Sequence, residues 1–192
     1  MLLELEDISK IYGVSCGQCR ELTGESGAIC PNCASVVAVN RVNLQVAEGE
    51  VLGVVGESGS GKSTLLQLIY QDQAVSSGRI FFNGLTDHEG KRQDILTLPS
   101  TVKARLRNRD MSMIYQNPHR GLNFNFSAGG NIAEKILDAN ERNYDTIRSR
   151  ALHFFGKIEM PPSRLDDCAE AFSGGRQQRI HIAKALSCSP PL

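Results

Sequence analysis

Gly56-Glu57-Ser58-Gly59-Ser60-Gly61-Lys62-Ser63, directly after the apolar run Val51–Val55, is the stretch that decides the fold. It meets the pattern G-x-x-x-x-G-K-[ST], with an apolar strand expected before it and an apolar-faced helix after it. Glycines let the backbone turn successive N–H groups inward to form a concave anion nest. The helix that opens near Lys62 adds the partial positive charge of its N-terminus. The Lys62 ammonium can reach the outer phosphates, and the Ser63 hydroxyl is a hard oxygen ligand suited to Mg²⁺. A nucleoside triphosphate, Mg·ATP, is the expected ligand. Its candidate contacts are Gly56, Glu57, Ser58, Gly59, Ser60, Gly61, Lys62, Ser63 and Thr64.

The flanking pattern alternates between strand and helix. Leu2 to Ile8 alternates apolar and acidic residues, and Val42, Leu44 and Val46 alternate with Asn43 and Gln45, so both read as strands. Val51 to Val55 lacks alternation, as a strand covered on both faces of a parallel sheet would. Leu65, Leu68 and Ile69 give the following segment helical spacing. Short strands are expected at Arg79–Phe82 and Met111–Tyr115. The cations Lys103, Arg105, Arg107 and Arg109 read as the solvated face of a helix. Helices are expected around Ile132–Leu137, Tyr144–Phe154 and Arg176–Leu186. The first two are separated from the Met111–Tyr115 strand by an Asn-, Gly- and Pro-rich loop from Gln116 to Gly130.

Between the first two strands the periodicity breaks. Cys16-Gly17-Gln18-Cys19 and Cys30-Pro31-Asn32-Cys33 are two C-x-x-C pairs separated by ten residues. Each pair can turn both thiolates toward one point, helped by Gly17 and Pro31. Four thiolates match tetrahedral Zn²⁺ in a closed structural site. An iron–sulfur cluster, a redox dithiol and plain thiols are the alternatives. Residues 13–35 are therefore expected to form a small zinc-ribbon-like insertion, serving as a contact surface or a structural clip. Cys168 and Cys188 lie outside the pattern and are expected to be buried or inert.

Composition narrows the setting. Lys plus Arg and Asp plus Glu balance at 21 each, so no general electrostatic pull toward nucleic acid or an anionic membrane is expected. No apolar window approaches the ~20 residues of a membrane span, and the acidic N-terminus is not a signal peptide. The expected compartment is the reducing cytosol, where structural disulfides are rare.

Phe172-Ser173-Gly174-Gly175-Arg176-Gln177 opens a helix, and alone it is a weak phosphate signal. A phosphate loop, then a strand ending in Gln116, then helices, then Ser-Gly-Gly together resemble the nucleotide-binding domain of ABC ATPases. The resemblance implies an α/β fold of P-loop NTPase type. It has an N-terminal antiparallel β subdomain and a helical subdomain over residues 117–172, to which the cysteine insertion is added here. It implies that Ser173, Gly174, Gly175, Arg176 and Gln177 contact the nucleotide held by a second copy in a head-to-tail dimer. Gln116 would join Ser63 near Mg²⁺, and Tyr12 would stack on adenine, a contact worth ~1–3 kcal/mol in single-strand binders. The family's usual Leu-Ser-Gly-Gly-Gln has Phe172 and Arg176 in its first and last places here.

The resemblance also implies a strand ending in Asp-Glu after the last helix, and later a His that senses phosphate. The residues to Leu192 hold neither, and none of His88, His119, His153 or His181 matches. Residues 1–192 are thus expected to form an incomplete domain without a general base for hydrolysis; an ATP-binding or zinc-dependent interaction module without turnover is the alternative reading. Without the core strands that lie between them in the family, Val51–Val55 and Met111–Tyr115 are expected to expose backbone and apolar faces. Tyr115 to Leu122, Ser127 to Ile132 and Pro161 to Asp167 look like the ATPase subunit of bacterial carbon–phosphorus lyase systems. That subunit docks on a phosphonate-degrading core complex. The ATPase subunits of dipeptide and oligopeptide importers are closely similar, and would imply permease partners and a place peripheral to the inner membrane.

Overall fold

The computed structural model describes residues 1–22 and 28–192. The expected insertion at 13–35 is therefore described except for residues 23–27, which lie outside the described residues. The chain divides into two compact units, Met1–Lys103 and Ala104–Leu192.

The first unit is built on a four-stranded antiparallel sheet. Its strands are β1 (Leu3–Tyr12), β2 (Val36–Val46), β3 (Ser77–Thr86) and β4 (Arg92–Asp94), in the order β2-β1-β3-β4. On β1, Leu3 and Leu5 face the core while Glu4 and Glu6 face out, meeting Arg92 at 2.5 Å and Arg79 at 2.6 Å. Alternation then breaks at Asp7, whose φ is +51°, and both neighbouring ladders shift register there. The extra residue turns Ile8 back into the core, where it is fully buried. Helix α1 (Lys62–Ile69) packs Leu65, Leu68 and Ile69 inward, as its spacing predicts.

Two expected strands are not formed. Val51–Val55 belongs to no strand, and Val51 and Val55 are 97% and 92% exposed. A strand of a parallel sheet exists only with hydrogen-bonded neighbours on its edges. None pairs with this run among the described residues. Met111–Tyr115 likewise adopts no strand, for the same reason.

Helix α2 (Ser100–Arg105) runs across the boundary and leads to a π-helical turn at Leu106–Asp110. The second unit packs α3 (Ala128–Asp138), α4 (Tyr144–Lys157) and α5 (Gly174–Leu186) around Ile132, Ile136, Phe155, Leu165 and Ile180. Each helix starts at a polar residue: the Ser127 and Asn143 side chains accept from backbone N–H groups of α3 and α4. Asn131 is fully buried and bridges Asn123 and Ser127. His181 is a packing histidine, stacked on Tyr115 with ring centroids 5.9 Å apart. Cys168 is exposed, its backbone bridged to Ser127 and its thiol 3.9 Å from Asn125 O, and Cys188 is half-buried.

Candidate functional site

The phosphate loop joins β2 and α1 through one tight contact. Gly61, the N-cap of α1, has φ +89°, and a Cβ there would lie 2.1 Å from the Ala38 carbonyl oxygen. Only glycine allows the loop exit to approach β2 this closely. Gly59 also has a positive φ, +83°, but nothing surrounds its missing Cβ. The Lys62 ammonium curls back over the loop and donates to Gly56 O at 2.8 Å, Glu57 O at 2.5 Å and Ser60 Oγ at 3.3 Å. The cation is thus gathered at the mouth of the loop rather than spread into solvent. Residues Gly56–Ser60 are all exposed, and no side chain caps the first turn of α1. Open backbone donors, a helix N-terminus and an ammonium make an anion-binding cradle.

Tyr12 ends β1 and is 40% exposed. It pairs with Val36, two residues before Ala38 on β2, so it stands at the same end of the hairpin as the Ala38–Gly61 contact. Its hydroxyl donates to Gln73 Oε1, and Gln73 Nε2 donates to Gln67 Oε1 on α1. A chain of hydrogen bonds therefore runs from the hairpin tip to the helix that carries Lys62. Nothing in the sequence marks Gln67 or Gln73, because their roles depend on contacts between distant segments.

The four cysteines of the insertion converge. Their sulfurs all lie within 4.8 Å of one another, with Cys16–Cys19 and Cys16–Cys30 at 3.7 Å and Cys19–Cys33 at 3.3 Å. A tetrahedron of thiolates at ~2.3 Å from Zn²⁺ has edges of ~3.8 Å, so the donor set fits a single tetrahedral ion. Cys19 and Cys30 are buried and Cys16 and Cys33 half-buried, leaving no open coordination position. The thiols differ in acidity. Hydrogen bonds from the Ser35 side chain and backbone, then from Cys19, hold Cys33 down to about 6. The Asn32 side chain lowers Cys16. The Cys16 N–H pulls Cys19 down, but burial and the neighbouring thiols push it up to about 12. The insertion is sewn to the sheet by bonds the sequence does not advertise. Asn40 Nδ2 donates to Leu22 O at 2.7 Å and Arg20 O at 3.3 Å, Val37 N to Ala28 O at 2.7 Å, and Ser35 Oγ to Val14 O at 3.0 Å.

The remaining candidates lie in the second unit. Gln116 is exposed at a bend. Ser173 is the N-cap of α5, yet its side chain makes no capping bond, and Ser173 through Arg176 are exposed. A Cβ on Gly174 or Gly175 would meet nothing within 4 Å, so no internal contact requires glycine there. Gln177 turns inward, donating to Phe172 O at 2.8 Å and Ala169 O at 3.3 Å, which fixes the turn ahead of α5.

Known proteins agree on the type of domain. The family profile described as "ABC transporter" matches residues 39–192. The chain is 36% identical over 151 residues to the putative phosphonates utilization ATP-binding protein PhnK of Escherichia coli, covering 79% of this chain and 57% of that one. It is 38% identical over 166 residues to the dipeptide transport ATP-binding protein DppD of Haemophilus influenzae, covering 81% of this chain and 46% of that one. The chain thus spans about half the length of the curated relatives it matches. In fold it is similar to the dimeric ATP-binding cassette MJ0796 bound to ADP and Pi. The TM-score is 0.78 at 23% identity, covering 98% of this chain and 71% of that one.

Proposed function

The chain belongs to the ABC transporter family of ATP-binding proteins, and from that premise we propose that it binds Mg·ATP as the nucleotide-binding subunit of a phosphonate-utilising system. The observation that carries the nucleotide assignment is the loop itself. Its exit is held against β2 at Gly61, and the Lys62 ammonium is poised over exposed backbone donors. Backbone N–H groups from Gly56 to Thr64 would take the β- and γ-phosphates, with Lys62 as the counter-cation. The Ser63 hydroxyl would hold Mg²⁺, which supplies charge neutralisation between the phosphates when bound. Tyr12 would stack on adenine.

The uncapped Ser173 hydroxyl and the bare Gly174-Gly175 turn support a trans contact by a second copy. Ser173 through Arg176 are exposed and a Cβ at Gly174 or Gly175 would meet nothing within 4 Å among the described residues, which leaves that backbone open to close approach from outside. The likeness to a dimeric cassette supports the same arrangement. The phosphonate assignment draws on the PhnK similarity and on the stretch Tyr115–Leu122. The partner would be a carbon–phosphorus lyase core complex, and the setting the cytoplasm. No helix of the described residues is long and apolar enough to cross a membrane. The DppD similarity favours an importer as the second assignment, with permease subunits as partners at the membrane. Permease genes beside this one would select the importer, and carbon–phosphorus lyase genes the phosphonate system. Zn²⁺ at the four thiols completes the inorganic partners.

Calorimetric titration with Mg·ATP tests the core of the proposal. The parent chain should bind, and Lys62→Ala should lose most of the affinity. A Lys62→Ala chain that binds as tightly as the parent removes the loop from the site.

A further inference from the structure

We propose that the four thiolates hold one Zn²⁺ whose role is to brace the Tyr12 end of the β1–β2 hairpin, so that nucleotide affinity depends on the metal. The dependence on nucleotide rests on the ATP-binding assignment above; the metal site does not.

The geometry selects a single ion. Two sulfur pairs that bridge the knuckles, Cys16–Cys30 at 3.7 Å and Cys19–Cys33 at 3.3 Å, are as short as the Cys16–Cys19 pair within one knuckle. A cluster of several irons with bridging sulfides would hold its outer thiolates further apart than a single ion does. A redox dithiol needs one reactive pair beside a path for its partner. Here all four sulfurs face each other and two are buried. Four thiolates around one centre with no open position is the donor set of structural zinc.

The path from the metal to the nucleotide cradle is short and lies within one unit. Beyond Tyr12 and before β2, the insertion is tied down by Ser35 Oγ on Val14 O and by Asn40 on the carbonyls of residues 20 and 22. Tyr12 pairs with Val36, and Ala38 two residues on meets Gly61. Tyr12 then reaches α1 through Gln73 and Gln67. Remove the ion, and four thiolates at tetrahedral spacing repel each other or take up protons and part. The loop they close is largely polar and has little apolar surface of its own to hold it. The freed strand ends are the ones that position Tyr12 and press on Gly61.

The test uses the full chain. Metal analysis should find about one zinc per chain. Replacement by Co²⁺ should give the intense visible bands of a tetrahedral tetrathiolate. The sequence holds no tryptophan, so Tyr12→Trp places one reporter at the hairpin tip while keeping an aromatic ring for the base. Releasing the metal with a mercurial should shift and broaden its emission, and in the unsubstituted chain should weaken Mg·ATP binding by ~10-fold or more. Cys16→Ser with Cys33→Ser should reproduce both changes. If that variant fails to fold, metal release with the cysteines intact gives both readouts, emission from Tyr12→Trp and affinity from the unsubstituted chain. Metal content far below one per chain, or iron in place of zinc, overturns the site. One zinc per chain with ATP affinity indifferent to its removal overturns the brace alone. One zinc per chain with no ATP binding at all overturns the nucleotide assignment, and with it the coupling.

Discussion

Replacing Gly61 with alanine should damage the nucleotide cradle far more than the same change at Gly59. Both glycines have positive φ, +89° and +83°. An L residue in that region costs ~1–2 kcal/mol, and both variants bear that cost. At Gly59 the added methyl meets nothing. At Gly61 it would lie 2.1 Å from the Ala38 carbonyl oxygen. That is ~1.4 Å inside the optimum of ~3.5 Å for non-bonded heavy atoms. The obstacle is backbone of a paired strand, which cannot rotate away. Either the loop exit or β2 must shift, and forcing a methyl into packed surroundings costs a further ~1–3 kcal/mol. The cost falls on the state that presents the cradle. Mg·ATP affinity should therefore drop ~5- to ~150-fold more in Gly61→Ala than in Gly59→Ala. Titration calorimetry reads the affinity, and urea unfolding of the two variants reads the stability cost. Equal affinities and equal midpoints would show that the β2–loop contact does not shape the site.

Gly175→Ala separates folding from assembly. With no atom near the missing Cβ, alanine should leave stability unchanged or raise it by up to ~1 kcal/mol, while ATP-dependent dimerisation, followed by sedimentation, should be lost; undiminished dimerisation would remove that turn from the interface. His181 should make stability depend on pH. Burial first, and the Lys184 ammonium next, hold its pKa near about 4 against an ordinary 6.5. The unfolded chain therefore takes up the proton first as pH falls. The contribution is fully present above pH ~6.5 and is lost as pH drops through about 4. Urea midpoints measured from pH 7 to pH 4 should fall more steeply in the parent than in His181→Asn.

Signals carried by neighbouring residues were legible in the sequence. The phosphate loop and the two C-x-x-C pairs are written at fixed short spacings, and α3, α4 and α5 follow their apolar periods. What escaped depends on distant contacts. β4 is only Arg92-Gln93-Asp94, too short and polar to alternate. It is held because Asp94 accepts from Ile80 N at 3.0 Å and Arg92 pairs with Glu4 across the sheet. The Asp7 bulge has no sequence mark, and neither does the π-helical turn at Leu106–Asp110. There the buried Lys135 ammonium collects the carbonyls of Arg107 at 2.5 Å and Met111 at 3.3 Å. Burial lowers the Lys135 pKa, and the carbonyls of the turn are what it donates to in place of water. The expected strands at Val51–Val55 and Met111–Tyr115 fail for the converse reason. Their composition suits a central strand, but composition does not supply the neighbouring edge that makes a strand.

The described contacts that hold the cradle lie on its helix side. The phosphate loop has two flanks. On the helix side, Gly61 is pressed on Ala38, Leu65, Leu68 and Ile69 are buried, and Gln67 is tied through Gln73 to Tyr12. These contacts tie the loop exit to α1 and to the β1–β2 hairpin. The hairpin tip is where the four thiols converge. Ala38 lies five residues after Cys33 and Tyr12 four before Cys16, so a change in the thiol cluster should reach the contacts that hold Gly61 and Gln67.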